Sequence, residues 1–191
     1  MEPNNPFTWT SGIKSPIYTD NRKILSYPKV RTYVRQEFAR IINEEFPNVD
    51  VIAGVATGAI AHGVLVAQEL GLPFVYVRSE KKSHGMENKI EGVVESGQSV
   101  VVIEDLVSTG KSSLQAVDAL RDAGCNVKGM VAVFSYLLPE AVESFRKSNV
   151  RLFTLTDYDI LIKKALMIKY ISDRDLNLLM EWRKDPSSWG K

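Results

Sequence analysis

Residues 100–113 read VVVIEDLVSTGKSS and decide the fold class of this chain. The stretch 99–103 is rich in β-branched side chains without a polar interruption, which predicts a fully buried strand. We expect a loop over 104–110 and then a helix from about 111 to 123, because Gly124 follows as a helix-ending residue. A buried strand that leads through a loop into a helix is the repeating unit of a parallel α/β sheet.

The rest of the chain repeats this unit. Apolar side chains recur at helical spacing after Pro28, at Val30, Val34, Phe38 and Ile41. Further strands are predicted at 51–55, 74–77, 127–134 and 150–155, and further helices at 60–70, at 139–147 and after the capping-box pair Ser172 and Asp175. The sequence therefore predicts a mostly parallel sheet with helices on both faces. Ligands of such sheets bind beyond the carboxyl ends of the strands.

One long segment does not fit this alternation. Residues 79–92 are polar, rich in Lys, Ser, Gly and Glu, and show no hydrophobic period. Loops of that length inside a compact domain are usually functional or disordered. We interpret 79–92 as a flexible lid.

Composition excludes several classes of protein. The 191 residues are 45% hydrophobic and 25% charged, which is ordinary for one globular domain, and no apolar run is long enough to span a membrane. A net charge of +1 without blocks of like charge argues against nucleic-acid binding. The N-terminus has no feature of a secretion signal, and the single cysteine, Cys125, allows no internal disulfide. These features predict a cytoplasmic protein.

The turn after the 99–103 strand predicts a phosphate site. Ser108, Thr109 and Gly110 would direct amide and hydroxyl groups to the positive end of the following helix, where anions bind. The ending Gly-Lys-Ser resembles a P-loop, but that motif requires glycine five positions before Gly110, where this chain has Asp105. The P-loop interpretation therefore fails.

Two acids precede this turn and need a separate explanation. Glu104 and Asp105 would repel a bound phosphate unless they faced another part of the ligand. Sugar hydroxyls are such a part, because carboxylates accept their hydrogen bonds and stabilise positive charge that develops on a sugar. The alternative is that both acids merely cap the helix. Acids directly after a buried apolar strand are costly without a partner, which favours the sugar-binding interpretation.

These motifs resemble those of a known family. Residues 100–113 are similar to the phosphoribosyl pyrophosphate (PRPP) signature of type I phosphoribosyltransferases. VIAGVATGAIAHG at 51–63 resembles the family's pyrophosphate-binding turn, and VYVRSEKKSHG at 75–85 its strand and catalytic flexible loop. NPFTWTSGIKSPIYTDNR at 5–22 resembles the N-terminal hood of orotate phosphoribosyltransferases. The resemblance implies one domain over 1–191, with a hood at about 1–27 and a Rossmann-like core at about 28–191.

The resemblance also implies roles for individual residues. Catalysis falls to Lys82, His84 and Asp105, and orotate would meet Lys14 and Ser108. PRPP would be bound by Arg78, Lys82, His84, Glu104, Asp105, Leu106, Val107, Ser108, Thr109, Gly110, Lys111 and Ser112, with Ala56, Thr57 and Gly58 at the pyrophosphate. The implied cofactor is Mg²⁺, held mainly through PRPP without direct protein ligands. The implied assembly is a homodimer in which the flexible loop acts on the neighbouring subunit's site.

Some positions depart from the family pattern. The stretch 132–141 lacks an arginine that some members use to contact orotate, and Ser79 stands where some members have lysine. His62 matches no catalytic position and is expected to be structural, near the start of its helix. Two alternatives remain open: a purine phosphoribosyltransferase, which would not need the hood, and a PRPP-sensing regulator that binds nucleic acid.

Overall fold

The central feature of the fold is a six-stranded sheet, seen in a computed structural model that describes residues 1, 6–9, 12–78 and 89–189. Its strands are β3 (Val51–Val55), β4 (Phe74–Val77), β5 (Ile90–Glu91), β6 (Ser99–Val107), β7 (Asn126–Ser135) and β8 (Leu152–Asp157). They lie in the order β5-β4-β3-β6-β7-β8, and all neighbours are parallel except the pair β4 and β5. The mostly parallel sheet predicted from the sequence is confirmed.

The described residues also form six α-helices. They are α1 (Pro28–Glu45), α2 (Ile60–Leu70), α3 (Lys111–Asp122), α4 (Pro139–Lys147), α5 (Tyr158–Met167) and α6 (Asp173–Lys184). All five residues of β3 are buried. Because successive side chains of a strand point to opposite faces, this burial shows that both faces of the sheet are covered.

Strand β6 is longer than the sequence predicted. Pairing with β7 continues through Glu104, opposite Ala132, to Val107, opposite Ser135. The predicted loop over 104–110 is therefore wrong for its first four residues. Polar residues are poor indicators of strand, and here the ladder to a buried neighbour overrides their preference. Glu104 and Asp105 consequently stand on a rigid strand instead of on a loop.

The predicted lid also ends earlier than expected. Ile90 and Glu91 pair with Val77 and Tyr76 as the antiparallel strand β5, so residues 90–91 are not part of a loop. A two-residue strand is too short to show a period of its own in sequence. Residues 79–88, which include Lys82 and His84, lie outside the described residues.

The segment ahead of α1 forms the expected hood. It contains a short hairpin of β1 (Phe7–Thr8) and β2 (Lys14–Ser15), followed by a 3-10 helix over Asn21–Ser26. Trp9 packs on Tyr136 and Trp182, with ring centroids 4.9 and 5.6 Å away. The indole Nε1 of Trp182 donates to the backbone carbonyl of Lys14 at 2.8 Å. Helix α6 therefore holds the hood against the end of β7.

Helix boundaries follow the predicted signals. Gly71 ends α2 in the left-handed conformation, with φ of 67°, and Ser172 and Asp175 form the predicted capping box at the start of α6. The apolar face of α1 differs from the predicted one at Val30. This side chain is exposed, whereas Val34, Phe38 and Ile42 form the buried face of the helix. Among the described residues, no helix is both long and apolar enough to cross a membrane.

Candidate active site

A cleft of about 820 Å³ lies where the carboxyl ends of β3 and β6 meet the hood. Three groups of residues line it. The turn after β3 contributes Val55, Ala56, Thr57 and Gly58; β6 and the start of α3 contribute Glu104, Asp105, Leu106, Ser108, Thr109, Lys111, Ser112 and Gln115; the hood contributes Thr8, Trp9, Tyr18, Thr19, Asp20, Asn21 and Arg22, and Tyr136 completes the wall. The cleft thus lies at the edge of the sheet where parallel α/β folds bind ligands.

The turn after β3 approaches Asp105 closely. A Cβ atom at Gly58 would overlap the carboxylate of Asp105, so only glycine fits this position in the observed arrangement. The amide of Ala56 donates to the carbonyl of Val77 at 2.8 Å and fixes the turn to the neighbouring strand. The Ala56–Thr57 peptide bond is cis. The predicted pyrophosphate turn therefore forms one wall of the cleft and faces the acids of β6.

Glu104 and Asp105 differ sharply in environment. Glu104 is 4% exposed: its Oε2 accepts from the hydroxyl of Ser113 at 2.8 Å, and its Oε1 from the amide of Asp105 at 3.0 Å. Burial, and then the negative charge of Asp105, raise the pKa of Glu104 well above its usual value. Asp105 is half-buried, and its carboxylate is available to a ligand in the cleft.

The phosphate turn joins β6 to α3. Gly110 adopts a φ of 80°, and a Cβ atom there would come within 2.9 Å of the Phe145 ring. Glycine is therefore required both for the turn and for its close packing on α4. No described side chain caps the N-terminus of α3, so the first amides of the helix are available to an anion.

The structure brings most of the predicted PRPP residues together. Leu106, Ser108, Thr109, Lys111 and Ser112 all line the cleft. Val107 is completely buried, and its carbonyl accepts from the amide of Tyr136 at 3.0 Å. Its side chain therefore belongs to the core.

Two predicted ligand contacts, Lys14 and Arg78, are not among the residues that line the cleft. Lys14 is exposed on β2 and is adjacent to Ser15, which is completely buried. Arg78 pairs with Glu91 at 3.4 Å, and its amide donates to the carbonyl of Lys89 at 2.9 Å. The roles of Lys14 and Arg78 as ligand contacts remain predictions.

Several residues of this site were not predicted from the sequence. The side-chain amide of Asn21 donates to the backbone carbonyl of Asp105 at 2.7 Å, which ties the hood to β6. The hydroxyl of Tyr136 is hydrogen-bonded to that of Thr19 at 3.2 Å, and Ser113 holds Glu104. Asn21 lies within the hood motif, so the resemblance of that motif to the family indicated its region. Tyr136 carried no such signal in the sequence, because its partner Thr19 is far away along the chain. Ser113 carried none because a serine near the start of a helix is ordinary.

His62 lies in the first turn of α2, as the sequence predicted, and is 2% exposed. Its ring packs against Phe38 with centroids 6.4 Å apart, and its Nε2 has no hydrogen-bond partner within the described ranges. Burial lowers the pKa of His62, and the charge of Asp105 opposes this shift. The buried imidazole is therefore favoured in its neutral form.

The fold and the cleft define a phosphoribosyltransferase, and the phosphoribosyl transferase domain family matches residues 22–161. An orotate phosphoribosyltransferase of Porphyromonas gingivalis is 58% identical over 190 residues, which cover 100% of this chain and 90% of that protein. The crystal structure of orotate phosphoribosyltransferase from Aeropyrum pernix has a TM-score of 0.77 at 26% identity, covering 87% of this chain and 92% of that one. The chain therefore belongs to the orotate phosphoribosyltransferase family.

The same domain occurs in a larger protein. The structure of Leishmania donovani UMP synthase matches with a TM-score of 0.79 at 26% identity and covers 94% of this chain. The present chain spans 38% of that protein. The match therefore concerns one part of the UMP synthase chain.

Proposed function

We propose that the chain transfers the ribose 5-phosphate of PRPP to orotate, forming orotidine 5'-phosphate and pyrophosphate for pyrimidine (UMP) synthesis. The observation that carries this proposal is the position of Asp105, between the glycine turn at Gly58 and the phosphate turn at 108–112. That arrangement suits a sugar with a phosphate at one end and a pyrophosphate at the other. The named relatives at 52–58% identity supply the choice of orotate as acceptor.

The geometry distributes PRPP along the cleft. The uncapped start of α3 and the hydroxyls of Ser108 and Thr109 would hold the 5-phosphate, and the turn at 56–58 would hold the pyrophosphate. Asp105, with Glu104 behind it, would accept hydrogen bonds from the ribose hydroxyls. In the reaction the bond from the anomeric carbon to pyrophosphate breaks, and pyrophosphate leaves with the electron pair. A bond to the pyrimidine nitrogen forms, and the proton of that nitrogen passes to the released pyrophosphate or to water. Asp105 stabilises the positive charge on the sugar between these events.

Orotate would bind on the hood side of the cleft. Ser108 faces this space from the phosphate turn, and Trp9, which packs on the buried ring of Tyr136, provides aromatic surface for the pyrimidine ring. Lys14 lies on the hairpin that carries Trp9 and supplies a cation for the orotate carboxylate. The hood thus supplies selectivity for a charged pyrimidine, which a purine phosphoribosyltransferase would not need.

The acids of this chain fit a magnesium ion that is bound mainly by the substrate. Within the described ranges, no three His, Cys, Asp or Glu residues form a metal-binding group. Mg²⁺ commonly keeps several waters and binds substrate phosphates, so it would be held through the pyrophosphate of PRPP at the turn of 56–58, while Asp105 would stay available to the ribose hydroxyls. When bound, the ion supplies positive charge to the leaving pyrophosphate. The protein's own task is to fix the sugar and its phosphate.

We also propose that the enzyme is a cytoplasmic homodimer in which Arg78, Lys82 and His84 contact the pyrophosphate and the loop acts in trans. The single, buried Cys125 suits a reducing compartment.

Mixing inactive Lys82→Ala and Asp105→Asn chains should produce heterodimers with one intact site. Random exchange makes about half the dimers mixed, so activity should return to roughly a quarter of wild type. Absence of recovery after exchange of differently tagged chains would contradict the proposed loop action.

The activity itself is tested by the fall in orotate absorbance after PRPP and Mg²⁺ are added. Adenine, hypoxanthine and uracil serve as competing bases in the same assay. We expect turnover with orotate and little with the others, because donors that bind the orotate carboxylate would be left unpaired. Preference for a purine would support the purine alternative. PRPP binding without turnover of any base would support a PRPP sensor.

A further inference from the structure

Ser113 lies in the first turn of α3, one residue beyond the stretch predicted to bind PRPP. It is 1% exposed, and its hydroxyl donates to Oε2 of Glu104 at 2.8 Å. The amide of Asp105 donates to Oε1 of the same carboxylate at 3.0 Å. Each oxygen of Glu104 is therefore held by one donor. The side chain has a defined orientation before any ligand arrives.

This contact is unusual for a serine in a helix. Helical serines commonly return their hydroxyl to a backbone carbonyl of the preceding turn. Ser113 instead reaches a carboxylate on β6, nine residues earlier. A buried carboxylate needs donors to offset its lost hydration, and in the described part of the chain Glu104 has no ion pair with a cationic side chain. The Ser113 hydroxyl is thus one of the two groups that stabilise Glu104.

We propose that Ser113 is a positioning residue for the transfer reaction: its hydroxyl fixes the Glu104 carboxylate at the base of the cleft, beside Asp105. The expected change in turnover rests on the proposed function. The contact between Ser113 and Glu104 belongs to the PRPP part of the cleft and does not depend on which base is the acceptor. Helix α3 thereby contributes twice to PRPP binding. Its first amides face the phosphate, and its first buried hydroxyl orients the acid beneath the ribose.

The charges around Glu104 determine how this contact depends on pH. Asp105 lies next to Glu104 on β6, His62 faces Asp105 from α2, Lys111 stands at the start of α3, and Asp20 and Arg22 face the cleft from the hood. The Ser113 bond lowers the pKa of Glu104, whereas burial and Asp105 raise it. Removing the hydroxyl should therefore raise the pKa further. The acid limb of the pH–rate profile should move to higher pH.

The primary test compares Ser113→Ala with a matched control, Ser135→Ala. Ser135 is also 1% exposed, but its hydroxyl accepts from the amide of Leu137 at 3.0 Å, and in the described part of the chain it has no hydrogen bond to Glu104 or Asp105. Ser113→Ala should lower kcat/KM for PRPP about tenfold, the effect of losing one hydrogen bond to a charged group. The KM for orotate should change less than about twofold, and Ser113→Thr should restore most of the loss. Ser135→Ala should leave the pH profile unchanged.

A second background separates positioning from packing. In a Glu104→Gln chain, which has no carboxylate to titrate at this position, Ser113→Ala should not move the acid limb. The inference is overturned if Ser113→Ala behaves like Ser135→Ala, or if it shifts the limb equally in both backgrounds. Calorimetric titration with PRPP is independent of orotate chemistry. Weaker PRPP binding by Ser113→Ala would support the inference even if wild type did not use orotate, whereas unchanged binding and unchanged turnover would refute it.

Discussion

Asp105 is the residue whose replacement tests the chemistry of the cleft most directly. Asp105→Asn keeps the size of the side chain and removes its charge at the point where the sugar becomes positive. We expect kcat to fall about a hundredfold, equivalent to roughly 3 kcal/mol, the loss typical of one electrostatic contact to a transition state. Thermal denaturation should show an unchanged fold. Near-normal turnover would mean that Asp105 does not face the reacting carbon.

Glu104 imposes a cost on the folded state. Its pKa is raised by burial, so the stability it contributes is present at acid pH and is lost as pH rises through the folded-state pKa. In Glu104→Gln the amide can accept from the Asp105 backbone and donate to Ser113. We therefore expect a higher free energy of unfolding than wild type near neutral pH, together with lower activity.

Denaturant titrations at two pH values check this prediction. The stability gain of Glu104→Gln should shrink as pH approaches 4.5, the ordinary carboxyl value. Glu181→Gln, at an exposed position of α6, provides the control and should show no such trend. A gain that stays constant with pH would show that Glu104 is ionised throughout this range.

At the scale of elements, the turn between β3 and α2 meets the carboxylate of Asp105 on β6 at Gly58, where there is no side chain. Gly58→Ala places a methyl group against the Asp105 carboxylate, which must then move. We expect a loss of activity close to that of Asp105→Asn, about a hundredfold. Combining the two substitutions should cost little more than either alone, because both act through the same side chain. Additive losses in that double variant would assign Gly58 a separate role.

Across the whole molecule, the C-terminal helix supports the hood. Trp182 is completely buried, packs on Trp9 and Tyr136, and donates to the carbonyl of Lys14. Trp182→Phe keeps an aromatic ring but removes the donor, which costs roughly 1 kcal/mol in stability. We expect the KM for orotate to rise several-fold and the KM for PRPP to rise less.

Trp189→Phe makes the same change in the segment that follows α6 and serves as the control. It should leave both KM values near those of wild type. Equal increases in the two KM values for Trp182→Phe would mean that the hood does not favour orotate over PRPP.

The sequence by itself determined the units of this fold. Buried strands and amphipathic helices carry their signals in neighbouring residues, so β3, α2, β4 and α4 have the predicted bounds. The glycines and small polar residues of the two turns likewise predicted that both turns line a ligand cleft, since their backbone requirements are local, and the phosphate sites themselves stay predictions. The family resemblance of these motifs is confirmed by the relatives.

Only the tertiary structure decided how the units meet. Asn21 reaches Asp105 across 84 residues, and Trp182 reaches Lys14 across 168. Strand β6 continues through two acids because β7 pairs with it, against their local preference. The hydrogen bond from Ser113 to Glu104 requires a helix to fold back over its own strand. Such contacts depend on strand order and packing, which join residues whose local sequence contains no signal of their partner.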